Sequence, residues 1–306
     1  MLQPTIISFF LLLSLTSASP TPLVVTQTLT TFTTVSPTPI VVTKTHITGT
    51  TTTAAATGKL TNPPLLRSFK PLQPGLEAHL PSTPFTYTKW APGWIPQACQ
   101  QIAAHENHSA STIETYNVHY ADCASPWILC RHVDDPDPID DFFATFGRIP
   151  VKARSHVRGA ISLPHPTQNS AYNSNNTIQF ANFHDPKQGS SAFKANVNVF
   201  IHETGHSLDA GAFSGTTSLA RSTAWGDALR RDSHVPDGYA QKSLGEDVAQ
   251  STVIATYDLN VPGGFRGLER VGWRAIWNQV GLVRKMQAEA GDVLVTGGRC
   301  TQRAVN

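Results

Sequence analysis

The chain has 306 residues, a formal net charge of +2 and a sequence pI of about 8.4, and charged residues make up only 14% of it. This balance is too weak to indicate a nucleic-acid-binding protein or a protein held on an anionic membrane. Beyond the N-terminus, no segment approaches the roughly eighteen uninterrupted apolar residues of a membrane span, so we expect no membrane association of the mature form.

The N-terminal part has two segments of distinct composition. Residues 1–19 have an apolar centre from Ile6 to Leu15, followed by small residues, which predicts a secretory signal peptide although no Lys or Arg precedes the apolar run. Residues 20–60 are dominated by Thr with almost no charge, which predicts a disordered low-complexity segment. This segment fits either an O-glycosylated stalk or a propeptide.

Residues 61–84 are rich in Pro and predict a connector, whereas residues 85–306 have the composition of one globular domain. Two sequons begin at Asn107 and Asn175. The four cysteines indicate two disulfides and an oxidising compartment. Of the three possible pairings we favour Cys123 with Cys130 and Cys99 with Cys300. We therefore expect a secreted, extracellular glycoprotein, and a monomer.

Within the domain, apolar periodicity predicts an α+β fold with one small sheet and a helical second half. Two strands are predicted, at residues 157–163 and 177–183. Helices are predicted at residues 97–109, 139–146, 192–210, 218–231, 244–257 and 274–290.

The helix predicted at residues 192–210 contains His202-Glu203-Thr204-Gly205-His206, an H-E-x-x-H pattern. Histidines four residues apart lie on one helix face, about 6 Å apart along the axis, so both imidazoles can reach one Zn²⁺. Glu203 projects beside them and suits the role of general base on a zinc-bound water. Its apolar neighbours Val199, Phe200 and Leu208 predict a buried helix rather than a solvent-facing one.

A catalytic zinc needs a third protein ligand. The extended pattern H-E-x-x-H-x-x-G-x-x-H is excluded, because Asp209 stands where it needs Gly and Ala212 where it needs His. Glu246 is the best candidate, and Gln250 lies one turn further on the same predicted face, where it could hold a ligand histidine.

Alternatives to Glu246 remain open on spacing alone. Ser243-Leu244-Gly245-Glu246 is also a capping box, in which the Glu side chain turns back to its own helix N-terminus. Asp247 is a local rival for the metal, and Glu269 is a distant one.

The motif helix and the sequence Glu246-Asp247-Val248-Ala249-Gln250 carry a resemblance to known proteins. Over roughly residues 85–300 the chain resembles fungal secreted zinc metallopeptidases known as conidiation-specific proteins. More distantly it resembles the protease domain of anthrax lethal factor, a zincin with Glu as third ligand. The downstream helix of the latter carries E-x-x-A-E, from which this chain departs by Gln250.

The resemblance implies a zincin-like metallopeptidase domain with His202, His206 and Glu246 as zinc ligands. It also implies that Tyr239, seven residues before Glu246, stabilises the oxyanion. A phenol suits that role chemically, although Tyr239 could equally be a loop aromatic packed on the core. Asp209 could orient a ligand imidazole, and His234 could donate to the transition state.

The sequence thus predicts a secreted zinc-dependent endopeptidase that hydrolyses peptide or protein substrates, with Glu203 as general base. We expect an extended substrate to lie beside the predicted strand at residues 177–183. Two alternatives remain. One is a secreted zinc-containing binding or toxin-like module with little proteolytic activity, and the other is a Thr-rich wall protein in which the H-E-x-x-H pattern is coincidental.

Overall fold

A computed structural model describes residues 59–183, 196–213, 218–268 and 272–304. These residues belong to one compact unit, Ala54–Asn306, and combine a sheet with helices, so the predicted α+β class is confirmed. The predicted signal peptide and all but the last two residues of the Thr-rich segment lie outside the described residues. Among the described helices none is both long enough and apolar enough to span a bilayer.

In the described part of the chain the strands are short and form two sheets. They are β1 Pro64–Leu66, β2 Phe85–Lys89, β3 Ile113–Tyr120, β4 Trp127–His132, β5 Gly159–Pro164, β6 Ser170–Ser174, β7 Thr177–Asn182 and β8 Val235–Asp237. Six of them form the main sheet in the order β2-β3-β4-β5-β7-β6, while β1 pairs in parallel with β8. The β4-β5-β7 centre is parallel, and β6 is an antiparallel edge strand.

The helices dominate the second half of the chain. They are α1 Gln73–His79, α2 Gln97–His105, α3 Ile139–Phe146, α4 Val151–Arg154, α5 Val197–Gly211, α6 Thr223–Arg231, α7 Leu244–Asn260 and α8 Trp277–Glu289. Each predicted helix has a counterpart among these. Residues 192–195, where the predicted motif helix begins, lie outside the described residues.

The central strands are covered on both faces, which explains their apolar character. One face packs against α3 and α5, where the rings of Phe180 and Phe200 stack with centroids 4.1 Å apart. The other face packs against α2 through a smaller cluster that includes Ile102 and Ile161. Packing against the sheet therefore fixes the position of α5.

The segment predicted as a connector, residues 61–84, is part of the folded domain. Its strand β1 pairs with β8, and Leu72, Leu76 and Leu80 are fully buried in the main core. The Pro-rich composition predicted no regular structure here. However, Pro64 begins a strand and Pro74 lies in the first turn of α1, and both positions tolerate Pro.

The structure contains two disulfides, as predicted from the even count, but the favoured pairing is wrong. Cys99 joins Cys130, and Cys123 joins Cys300. Cys130 lies in the middle of β4, on the face covered by α2, whereas Cys123 lies in the turn that precedes the same strand. Since an extended strand separates Cys123 from Cys130, their closeness in sequence does not bring their side chains together.

Candidate metal centre

Helix α5 brings His202 and His206 to one face, as the H-E-x-x-H spacing predicts. Their rings meet edge to face with centroids 4.9 Å apart. His202 is buried and His206 is partly exposed to a cleft. The surrounding helix is buried along most of its length, which agrees with the apolar residues of its sequence. The two imidazoles therefore face a common point between the helix and the cleft.

Glu246 reaches that point from the first turn of α7. Its Oε2 atom lies 3.0 Å from Nε2 of His202 and 3.4 Å from Nε2 of His206. One of the two hydrogen bonds of a capping box is present, because Ser243 Oγ accepts a hydrogen bond from the Glu246 backbone N–H. The Glu246 carboxylate itself lies against the histidines. Asp247 is fully buried on another side of the helix, near Trp225, and Glu269 lies outside the described residues.

The close approach of α5 and α7 depends on Gly205. A Cβ atom at this position would lie 3.0 Å from the Ala249 Cα and 3.2 Å from the Thr252 Cβ. Glycine in a helix interior costs about 0.5–1 kcal/mol relative to alanine, so its presence here indicates a packing requirement. The glycine lets α7 approach the same turn of α5 that carries the two histidines.

We expect Gly205→Ala to lower the free energy of unfolding by about 1–3 kcal/mol, because the added methyl group collides with the α7 backbone and forces the helices apart. Urea denaturation measures this change. Gly281→Ala is the matched control, since Gly281 lies inside α8 and a Cβ there meets nothing within 4 Å. The control should be neutral or stabilising by up to about 1 kcal/mol. Equal effects at both positions would contradict the packing role.

The distances of 3.0 and 3.4 Å from Glu246 Oε2 to the two imidazole nitrogens are close to the spacing of ligand atoms in a tetrahedral zinc site. Metal–ligand bonds of about 2.0–2.1 Å at tetrahedral angles place neighbouring ligand atoms about 3.3 Å apart. Oε2 of Glu246 is buried and makes no hydrogen bond of acceptable geometry, despite its short distances to His202 and His206. These atoms converge on one point instead of pairing with each other, and the residues therefore fit a zinc ion.

The electrostatics of the cluster favour a cation. Burial raises the pKa of the Glu246 carboxyl, but the two imidazoles outweigh burial and lower that pKa to about 2. Burial lowers the pKa of His206, but contact with Glu246 and the nearby charges of Glu203 and Asp209 raise it overall. An ionised carboxylate beside two imidazoles thus attracts positive charge.

Glu203 lies within the same cluster. One donor atom from each of His202, Glu203 and His206 fits within a mutual separation of 4.8 Å. Glu203 is buried, and its Oε2 has no hydrogen-bond partner. Burial and the Glu246 charge raise its pKa, and the two histidines offset part of this increase. A carboxyl group with a raised pKa and a free oxygen is suited to accept and release protons.

Tyr239 lies at the entrance of the site and is 39% exposed. Its ring centroid lies 5.5 Å from that of His202, and the Lys242 Nζ lies 3.6 Å from the Tyr239 centroid. Burial, and then the charges of Glu246 and Glu203, raise the pKa of the phenol. The hydroxyl therefore stays protonated and able to donate a hydrogen bond. The Tyr239 ring thus lines the cleft and is not packed in the core.

A cleft of about 480 Å³ opens onto these residues. Its walls include Glu203, His206, Tyr239 and Glu246 on one side and edge-strand residues Ala171–Asn173 on the other. The expectation that a substrate lies beside residues 177–183 is wrong, because β7 pairs with strands on both sides. The accessible strand is β6, which the sequence analysis missed.

Two further candidates have partners outside the histidine cluster. The Asp209 carboxylate accepts hydrogen bonds from Ser218 Oγ and the Ala220 backbone N–H at 2.8 and 2.9 Å, so it holds residues 218–220 against α5. The His234 ring contacts Ser233 Oγ, and His234 is not among the residues that line the cleft.

Three residues around the site hold it in place, and the sequence indicated only one of them. Gln250 contacts the His202 ring, as its spacing from Glu246 predicted. Asn173 of β6 donates to the Glu203 carbonyl and to Ser207 Oγ, which ties the edge strand to α5. Asp237 bonds Gln250 and the backbone around Tyr239. The Asp237-Gly238 pair is a turn signal that could have drawn attention to Asp237.

Comparison with known proteins gives a family but no fold neighbour. A family profile described as Conidiation-specific protein Con-13 matches residues 71–285. Conidiation-specific protein 13 of Neurospora crassa is 34% identical over 191 residues, which covers 61% of this chain and 53% of that protein. The chain thus spans about half the length of this curated relative. No solved structure matches the chain.

Neither description names a peptidase or a zinc enzyme. The resemblance to fungal zinc metallopeptidases and to anthrax lethal factor is therefore wrong as a family identification. The similarity to lethal factor was confined to short segments around the motif helix and Glu246, whereas the matching profile spans residues 71–285. On that match, the chain belongs to the conidiation-specific protein Con-13 family.

Proposed function

We propose that the protein is a zinc-dependent hydrolase of peptide bonds, with His202, His206 and Glu246 as the protein ligands of one zinc ion. The observation that carries this proposal is the convergence of the two Nε2 atoms on Glu246 Oε2, at 3.0 and 3.4 Å, beside the buried and unpaired Glu203 carboxyl. The proposal rests on this geometry and not on family membership.

The architecture supports the finer proposal of a zincin-like catalytic domain. An H-E-x-x-H helix packs beneath a mixed sheet, a later helix supplies a carboxylate, and an antiparallel edge strand lines the cleft above them. The two disulfides are compatible with a secreted, extracellular protein.

When bound, the zinc supplies a Lewis acid that polarises a carbonyl and makes water more acidic. Glu203 accepts a proton from the attacking water at its free Oε2 and transfers it to the leaving amine nitrogen as the C–N bond breaks. Tyr239 donates a hydrogen bond from its hydroxyl to the carbonyl oxygen as negative charge develops there. Its partial exposure lets the side chain adjust to a bound substrate.

The proposed substrate is an extended peptide segment. Strand β6 is the edge of the sheet, and along the described chain its outer backbone groups have no partner strand. A peptide can pair with such an edge through main-chain hydrogen bonds, which hold the scissile bond next to the histidines. Asn173 fixes the distance between this edge and Glu203.

The test is to purify the full chain from a secretory host, measure its zinc content by mass spectrometry of the metal, and incubate it with a diverse peptide mixture. We expect one zinc per chain and discrete cleavage products that a chelator abolishes and added zinc restores. A protein without stoichiometric zinc would refute the metal site and favour a wall protein. A zinc-loaded protein that cleaves no peptide would refute the hydrolase and favour a binding module.

The raised pKa of Glu203 predicts how this carboxyl titrates in metal-free protein. Burial and the Glu246 charge raise the pKa above the ordinary value of 4.5, so the midpoint of its titration should lie above pH 4.5. Carboxyl ¹³C NMR of the metal-free protein measures this midpoint. A general base acts only when ionised, so a bound zinc ion should shift the midpoint to lower pH. A midpoint at or below 4.5 without metal would show that the two histidines outweigh burial.

A further inference from the structure

Asp237 is a buried carboxylate at the end of β8, and three N–H groups surround it. Its Oδ1 accepts hydrogen bonds from the backbone N–H groups of Tyr239 and Ala240, at 2.9 and 3.0 Å. Its Oδ2 accepts a hydrogen bond of 2.8 Å from Nε2 of Gln250. The opposite end of that amide, Oε1 of Gln250, lies 3.1 Å from Nδ1 of His202. A continuous chain of contacts therefore runs from Asp237 to a proposed zinc ligand.

The direction of each hydrogen bond follows from the chemistry of the groups. A carboxylate held by three donors acts as an acceptor, so the NH₂ group of Gln250 must face Asp237. The carbonyl oxygen of Gln250 then faces His202 and can only accept. Nδ1 of His202 must consequently carry a proton, which leaves Nε2, the nitrogen that faces Glu246, as the one that can bind a metal ion.

We propose that Asp237 is a positioning residue that selects the metal-binding tautomer of His202 through the Gln250 amide and, with its other oxygen, holds the loop that carries Tyr239. Asp237 is not among the residues that line the cleft, and it acts through these two partners. The proposal rests on the zinc-binding part of the proposed function. It explains how the neutral amide of Gln250 can orient His202, because the Asp237 carboxylate supplies a negative charge on the far side of that amide.

The proposal predicts that each of two single substitutions disrupts the contacts between Asp237, Gln250 and His202, and that their combination restores these contacts. In Asp237→Asn, the two backbone N–H groups hold the new carbonyl oxygen, so its NH₂ group faces the NH₂ group of Gln250. Relief requires the Gln250 amide to flip, which presents a donor to His202 Nδ1 and moves the imidazole proton to Nε2. In Gln250→Glu, two carboxylates meet where Oδ2 and Nε2 now lie 2.8 Å apart.

The double variant, Asp237→Asn with Gln250→Glu, restores every hydrogen bond. The oxygen of the introduced amide accepts from the backbone, its NH₂ group donates to the introduced carboxylate, and that carboxylate accepts from His202 Nδ1. Either single variant should weaken zinc affinity by about 10–100-fold, as loss of an outer contact to a ligand histidine usually does. The double variant should regain at least about tenfold of the loss, which a merely destabilising change at either position would not produce.

The first readout is whether Nδ1 of His202 carries a proton in metal-free protein, measured by imidazole ¹⁵N NMR at about pH 8. The second is the zinc dissociation constant from competition with a chelator. We expect Nδ1 to carry a proton in the parent and in the double variant, and to carry none in Asp237→Asn. A proton that stays on Nδ1 in Asp237→Asn, or a double variant no better than the singles, would overturn the proposal.

Asp232→Asn is the matched control. Asp232 is also a buried carboxylate that accepts from backbone N–H groups and from a glutamine side chain, Gln279, at 2.9 Å. Its substitution should lower stability and leave both the His202 tautomer and the zinc affinity unchanged. Because the tautomer is read in metal-free protein, a parent that binds no zinc would refute the zinc site while the test of Asp237 still gives an answer.

Discussion

Glu203→Gln is expected to reduce kcat/KM for peptide cleavage by about 10²–10⁴-fold while the protein keeps one bound zinc. The amide has almost the same shape as the carboxyl but cannot take a proton from water. The Oε2 atom of Glu203 is buried and has no hydrogen-bond partner, and one oxygen of this carboxyl lies within 4.8 Å of a ring nitrogen of each histidine. The substitution therefore removes a base and leaves the ligands in place.

Cleavage of a single peptide and metal content are measured together on the same preparation. Glu114→Gln is a suitable control, because Glu114 lies on β3, near the opposite edge of the sheet from β6. Its carboxylate accepts hydrogen bonds from Lys89 Nζ and the Tyr116 hydroxyl. The control should retain cleavage. If Glu203→Gln cleaves as well as the parent, Glu203 is not the base. If it loses zinc as well as activity, the carboxyl serves the metal and its role must be reassigned.

The parts of the fold that sequence predicted are those with local signals. Helix α3 matches its prediction residue for residue, since Pro138 precedes it, Asp140 and Asp141 favour its N-terminus, and Gly147 follows its end. Helix α7 begins at the predicted residue because Ser243 caps it. Strands β3 and β4 were missed although they pair as a hairpin across residues 121–126. Strand β4 is buried or half-buried along its whole length, and such a short strand lacks the alternation that marks a half-buried strand.

The same distinction separates the parts of the site. The two histidines could be placed from spacing alone, because one helix turn sets their geometry. The position of Glu246 depends on how closely α7 approaches α5, and that depends on Gly205 fitting against Ala249. The disulfide pairing, the edge strand β6 and the role of Asp237 all require the tertiary structure. A short turn signal marks Asp237, but nothing local links it to His202.

Glu246→Gln is expected to weaken zinc affinity by more than about 100-fold, beyond the loss that follows removal of an outer contact. The substitution removes the negative charge that faces the two imidazoles and that would bind the zinc ion, and it leaves a neutral amide in its place. Bound zinc stabilises a folded protein in proportion to the logarithm of its affinity, so the rise in Tm that zinc produces in the parent should disappear.

Ser243→Ala separates the metal role of Glu246 from its place in the first turn of α7. Ser243 Oγ accepts a hydrogen bond from the Glu246 backbone N–H, and loss of this cap should lower the free energy of unfolding by about 1 kcal/mol. If Glu246 acts through the helix start alone, Ser243→Ala should weaken zinc binding as much as Glu246→Gln does. If the carboxylate is a ligand, Ser243→Ala keeps the full zinc-dependent rise in Tm from a lower starting point. Since the carboxylate lies 3.0 Å from His202 Nε2 and not against its own helix N-terminus, we expect the second result.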